Sequence, residues 1–206
     1  MNSKSSARIS ALFIGLAFGS QTFPVAAHLP IPPKKGEIGR KEAHTPAPSF
    51  TLVDQTGRKF TFNPAGGQPV VVTFIYTTCP DVCPLLTAKM AAVQRKLEAE
   101  KNNRYLFLSI STDPKRDSAE KLKAYGDAFK ADYRHWHFLT GSPAELAPVW
   151  KGFGVRVKDL DDGQVQHTTL TTLIDGKGVR RVDYYGDKWL EKDLLNDLRQ
   201  IAAAKS

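Results

Sequence analysis

The stretch that most constrains this chain runs from Val70 to Met90 and reads VVVTFIYTTCPDVCPLLTAKM. Val70 to Tyr76 is an almost continuous run of β-branched and aromatic residues, the pattern of a strand buried on both faces. Two threonines follow, then Cys79-Pro80-Asp81-Val82-Cys83-Pro84, then a stretch with helical spacing. Cys79 and Cys83 are the only 2 cysteines in the chain, and they sit where a buried strand hands over to a helix. If the turn after Thr78 is helical, residues i and i+4 share a face with Cβ atoms about 5–6 Å apart. A disulfide tolerates Cα separations of about 4.4–6.8 Å, so the pair could oxidise. The same geometry lets two thiolates converge on a metal ion. The positive end of a helix dipole favours the thiolate that either role needs, and prolines suit a first turn. The bland alternative is two buried cysteines packing as small hydrophobes.

At 206 residues with 41% hydrophobic and 24% charged content, the chain has enough material for one globular domain plus extensions. Residues 1–27 read as a secretory signal peptide. Lys4 and Arg8 form a basic start, Ile9 to Phe18 an apolar core too short to span a bilayer, and Val25-Ala26-Ala27 a cleavage site. Their removal takes 2 of 29 basic residues and none of 21 acidic ones, so the formal charge falls from +8 to +6 (27 − 21). Export to the periplasm is the expectation, with an uncleaved anchor as the lesser reading. A new N-terminus at His28 would bring an amine and an imidazole together, a pairing that chelates copper, although a tail histidine by coincidence is the simpler account. Residues 28–48 are rich in Pro, Gly and Lys and read as a flexible linker. Residues 49–206 form the domain.

Within the domain, Phe50–Phe62 reads as a β-hairpin around Asp54-Gln55-Thr56-Gly57. Leu85, Leu86, Met90, Val93 and Leu97 predict a helix to about Lys101, with Met90 as core filler. Arg104–Thr112 is a second buried strand, and Asp117-Ser118 start a helix to about Lys130. Trp136–Leu139 is a third strand, and Ser142-Pro143-Ala144-Glu145 starts a short helix. Val155–Val157 and Gln164–Gln166 flank a turn at Asp161-Asp162-Gly163. Thr169–Asp175 and Val179–Tyr185 form a hairpin, and Leu190, Leu194, Leu195, Leu198 and Ile201 a closing helix. This order gives an α/β thioredoxin-like fold with an N-terminal β-hairpin and a C-terminal β-hairpin plus helix.

Of the 5 histidines, His135 and His137 alternate around Trp136 and read as strand or surface residues sharing one side of the sheet. His167 stands in the loop before the strand Thr169–Asp175, which a thioredoxin-like plan puts beside the cysteine turn. Asp81 reads as a turn or capping residue.

The sequence resembles the Sco/SenC family of copper-handling proteins. The likeness rests on Thr73 to Pro84 (TFIYTTCPDVCP), on Ser111 to Ser118 (STDPKRDS), on Leu139-Thr140-Gly141, and on His167 ahead of Leu173-Ile174-Asp175. It spans about Ala47 to Ile201. It implies a thioredoxin-like fold, copper held by Cys79, Cys83 and His167, and a role in assembling the binuclear copper centre of cytochrome c oxidase. Gln166 stands where the family commonly has an aspartate. The donor chemistry agrees: two thiolates and an imidazole suit Cu(I) and also hold Cu(II), whereas a structural zinc site wants four closed ligands. The reading is therefore of a metallochaperone rather than an enzyme, with the copper-bearing subunit of the oxidase or another cuproprotein as partner.

The chief rival is a thiol–disulfide oxidoreductase that reduces the oxidase's cysteines, with Cys79 and Cys83 as a redox-active disulfide and a thiol reductase as its own partner. Three intervening residues, instead of the two of Cys-x-x-Cys motifs, and the lack of a proline near His167 where such enzymes keep a cis-Pro, weigh against it. A peroxiredoxin would need Pro and Thr at positions held by Val72 and Tyr76. Dispersed basic residues and export argue against nucleic-acid binding; the positive charge suits acidic partners or the periphery of an anionic membrane.

Overall fold

The computed structural model describes residues 31–160 and 163–203. The predicted leader, its cleavage site, His28 and the Asp161-Asp162 pair lie outside the described residues. Among these residues eight strands form one sheet, in the order β1 (Gly39–Pro46), β10 (Val179–Tyr185), β9 (Leu170–Ile174), β4 (Val70–Ile75), β5 (Leu106–Ser111), β6 (Trp136–Thr140), β2 (Phe50–Asp54) and β3 (Lys59–Phe62). Its centre is β4 (Val70–Ile75), parallel to β5 (Leu106–Ser111), which is parallel to β6 (Trp136–Thr140). On the other side β4 pairs antiparallel with β9 (Leu170–Ile174), and β9 with β10 (Val179–Tyr185). The hairpin β2 (Phe50–Asp54) and β3 (Lys59–Phe62) completes the far edge by pairing with β6. A separate two-stranded sheet joins β7 (Val157–Asp159) to β8 (Val165–His167).

Every residue of β4 is buried, as its unbroken apolar run predicts. Alternate side chains enter two cores. Val71 and Ile75 join α1 (Val82–Ala99) through Leu86, Met90, Val93 and Leu97, and α4 (Glu191–Ala203) through Leu194, Leu195 and Leu198. Leu122 of α2 (Ala119–Ala128) packs in the same layer. Val70, Val72 and Phe74 face Leu146, Val149 and Phe153 of α3 (Pro143–Phe153). Met90 is core filler as expected, with none of its surface exposed. The helix starts follow their caps: the Ser118 hydroxyl accepts from the Lys121 amide, and Ser142 and Glu145 form a capping box.

The linker reading of 28–48 needs correction. Gly39–Pro46 form β1, which pairs antiparallel with β10 and covers its edge. Seven of its eight residues are exposed, so the strand carries no apolar alternation and its composition resembles a linker. Side-chain bonds help to fix it: Arg40 makes a forked pair with Asp197 of α4 at 2.7 and 2.9 Å, and Tyr184 donates to the same carboxylate. His137 is a half-buried strand residue as expected, whereas His135 falls just ahead of β6, which starts at Trp136, so the two do not share one side of the sheet. The His135 ring lies on Tyr105 and the His137 ring on Phe60, at centroid distances of 4.9 and 4.7 Å.

Candidate metal centre

The cysteine turn leaves the carboxyl end of β4, where open parallel sheets present their ligand sites. The Cys79 amide donates to the Tyr76 carbonyl at 3.2 Å, folding the chain back before α1 begins at Val82. Residues 79–81 are not helical, so the i,i+4 face expected for the pair does not form as such. Instead the Cys79 sulfur lies over the helix N-terminus and accepts from the Cys83 amide at 3.5 Å. Asp81 occupies the N-cap position but its side chain makes no capping bond. The sulfur takes the place of a capping oxygen, satisfying an amide that the helix leaves open. Both cysteines are free thiols and buried.

His167 reaches this turn from β8, one residue beyond the predicted strand and at its end rather than in a loop. Its Nε2 lies 3.9 Å from Cys83 Sγ, and its Nδ1 is 3.1 Å from the Thr168 carbonyl oxygen. A carbonyl only accepts, so that bond puts the proton on Nδ1 and leaves the Nε2 lone pair toward the sulfur. The Tyr76 ring meets the imidazole edge-on, 6.0 Å between centroids. Among the described residues no three His, Cys, Asp or Glu side chains stand close enough to enclose a metal ion without adjustment. The Cys83–His167 pair taken by itself is within reach of a shared ion: bonds of about 2.3 Å to sulfur and about 2.0 Å to nitrogen span up to about 4.3 Å, and the observed separation is 3.9 Å.

The two thiols are pushed in opposite directions. The hydrogen bond from Cys83 lowers the Cys79 thiol to about 5, against burial that raises it; main-chain donation from Asp81 and Cys83 and the Tyr76 hydroxyl add to the lowering. Cys83 goes well above its ordinary value, because it supplies the proton to Cys79 and is itself buried beside that negative charge. Burial raises the Tyr76 phenol too, so it stays protonated and donates. A thiolate alkylates and a thiol does not. Iodoacetamide labelling of Cys79 in reduced protein should therefore keep its pH-7 rate as the pH falls to about 6 and drop only near 5. An ordinary thiol would lose about tenfold per unit throughout that range.

The model of the SCO1/SenC family matches residues 39–203. The chain belongs to that family. The SCO1 protein homolog of Bacillus subtilis is 31% identical over 160 residues, covering 76% of this chain and 82% of that protein. The structure of Bradyrhizobium japonicum ScoI with copper bound is 32% identical and superposes with a TM-score of 0.66, covering 76% of this chain and 99% of the other. BsSco, described with a disulfide switch and as a member of the Sco family of cytochrome c oxidase assembly proteins, is 29% identical with a TM-score of 0.69, covering 80% and 98%. These neighbours carry the thioredoxin-like Sco fold, in agreement with the sequence expectation.

In this SCO1/SenC chain the turn is held from beneath by a residue whose role the sequence hides. Asp117 reads as a helix-start acid, yet its carboxylate is buried and accepts from the Thr77 amide at 3.0 Å, the Thr77 hydroxyl at 2.6 Å and the Ser111 hydroxyl at 2.5 Å. Burial raises its carboxyl, and the hydrogen bonds from Ser111 and Thr77 oppose that rise. The signal in the sequence is the Ser111 to Ser118 block, which carries the family resemblance but does not show what its second aspartate bonds. No helix among the described residues is long and apolar enough to cross a membrane.

Proposed function

We propose that this protein is an exported copper carrier that holds one copper ion through Cys79, Cys83 and His167. It would deliver that ion to a cuproprotein, the binuclear copper centre of cytochrome c oxidase being the recipient that fits the family best. The observation that carries the reading is the Cys83 Sγ to His167 Nε2 approach of 3.9 Å, with Nδ1 committed to the Thr168 carbonyl. That arrangement turns the Nε2 lone pair toward Cys83 Sγ, beside the second sulfur of Cys79. The donor set is soft and of low coordination, which suits Cu(I) and leaves a path for ligand exchange with a partner. Support comes also from ScoI, solved with copper, and from BsSco, named for oxidase assembly. The leader read in residues 1–27 would place the domain in the periplasm.

A second reading has its own observation. A free cysteine pair with one thiolate touching the other thiol is also poised for thiol–disulfide exchange, and BsSco is described with a disulfide switch. The two readings separate in one experiment. Anaerobic titration of the reduced protein with Cu(I) against a chromophoric chelator should show one equivalent bound. Failure to withdraw copper from the chelator, together with fast reduction of insulin disulfides, would replace the carrier by the reductase.

A further inference from the structure

The two halves of the site sit on structures that are not hydrogen-bonded to each other as strands: the cysteines follow β4 of the main sheet, and His167 ends β8 of the small one. One segment, Ser111 to Ser118, reaches both. Its inner end is welded to the cysteine side. The Thr112 amide and hydroxyl both donate to the Ile75 carbonyl, at 2.7 and 3.1 Å, and Asp117 grips Thr77 as described above. Its outer end holds the histidine side. Lys115 Nζ lies 2.7 Å from Asp159 Oδ2, and Arg116 reaches Asp159 Oδ1 at 3.3 Å. Asp159 pairs in register with Val165, two residues before His167.

We infer that Asp159 is a positioning residue for the metal site: by pairing with Lys115 and Arg116 it ties the β7–β8 hairpin, and with it His167, to the segment that also clamps the cysteine turn. This rests on the copper-carrier reading for its consequence, but not for its geometry. An exposed ion pair alone contributes little. Here two features raise its weight. Arg116 is already immobilised by its bond to the buried Asp113 carboxylate, which cannot move with solvent, so less side-chain freedom is lost when Asp159 joins it. Two cations also converge on one carboxylate, so a cation placed there would meet repulsion from both. The hairpin keeps other anchors, with Val165 buried in the main core and the Arg156 guanidinium, at the foot of β7, paired with Glu37. Loss of the tie would loosen the hairpin without unfolding it.

The test is Asp159→Lys, with Asp159→Glu as the conservative control, in the full chain. In reduced, metal-free protein Asp159→Lys should speed alkylation of the buried Cys83 and hydrogen exchange at Val165 and His167 by about three- to tenfold. Asp159→Glu should stay near wild type. In copper-loaded protein Asp159→Lys should speed chelator-driven copper loss by a similar factor. That increment should vanish in a His167→Ala background, where the hairpin no longer carries a ligand. Unchanged Cys83 alkylation and hairpin exchange in Asp159→Lys would overturn the inference. So would a copper-loss increment that persists without His167. If wild-type protein bound no copper, the carrier reading would fall, and the metal-free arm would still decide whether Asp159 positions the hairpin.

Discussion

Cys83→Ser is expected to lower copper affinity by roughly 10³-fold or more, beyond the 10–100-fold typical for losing a ligand's outer partner. Cys83 is the middle of the site. Its amide donates to Cys79 Sγ and its own sulfur lies 3.9 Å from His167 Nε2; serine keeps the amide bond but removes the sulfur that the carrier reading places between the other two ligands. A serine hydroxyl is a hard donor that keeps its proton at neutral pH, and it does not replace a thiolate for Cu(I). His167→Ala should be milder, about 10–100-fold, because both sulfurs stay in place. Cys79→Ser should resemble Cys83→Ser and also remove the thiolate present before metal arrives. Competition with a chelator of known affinity checks the ranking. Equal retention by Cys83→Ser and wild type would contradict it.

Arg180→Met should give the largest loss of stability, about 3–5 kcal/mol, without touching the cysteine turn. Arg180 and Asp183 are 7% and 6% exposed, and their pair is made at 2.6 and 3.3 Å. The arginine also donates to the Phe153 carbonyl at 3.2 Å and stands over the Phe153 ring, while Asp183 accepts from Thr172 at 2.5 Å. Removing the cation strands a buried carboxylate, which costs more than the pair contributed. Arg180→Met with Asp183→Leu should recover most of the loss, since no charge is left behind. Urea unfolding of both variants decides the matter, and a double variant no more stable than Arg180→Met would show that packing, not the stranded charge, sets the cost.

The parts of this fold that were legible in the sequence are those with a strong physical pattern. β4 is buried on both faces and so is apolar at every position, and α2 and α3 begin at serines whose hydroxyls do cap them. β1 was not legible, because it pairs by its backbone along an exposed edge and its side chains face water. The cysteines announced themselves by their place after β4. His167 did not: what set it apart from His135 and His137 was its place before a strand that a thioredoxin-like plan sets beside the cysteines, together with the Sco/SenC resemblance, and no local pattern of its own. Asp117 stayed hidden for a different reason. An acid at a helix start ordinarily serves the helix, whereas this one turns back to bond Thr77 and Ser111 across 40 and 6 residues. Long-range hydrogen bonds of that kind leave no periodicity behind them.

X-ray absorption at the copper edge of the Cu(I)-loaded protein tests the three-ligand centre most directly. The carrier reading predicts a low-coordinate spectrum fitted by two sulfurs at about 2.2–2.3 Å and one imidazole nitrogen near 2.0 Å, with the imidazole scattering lost in His167→Ala. A wild-type spectrum with sulfur ligands alone, unchanged by that substitution, would contradict it.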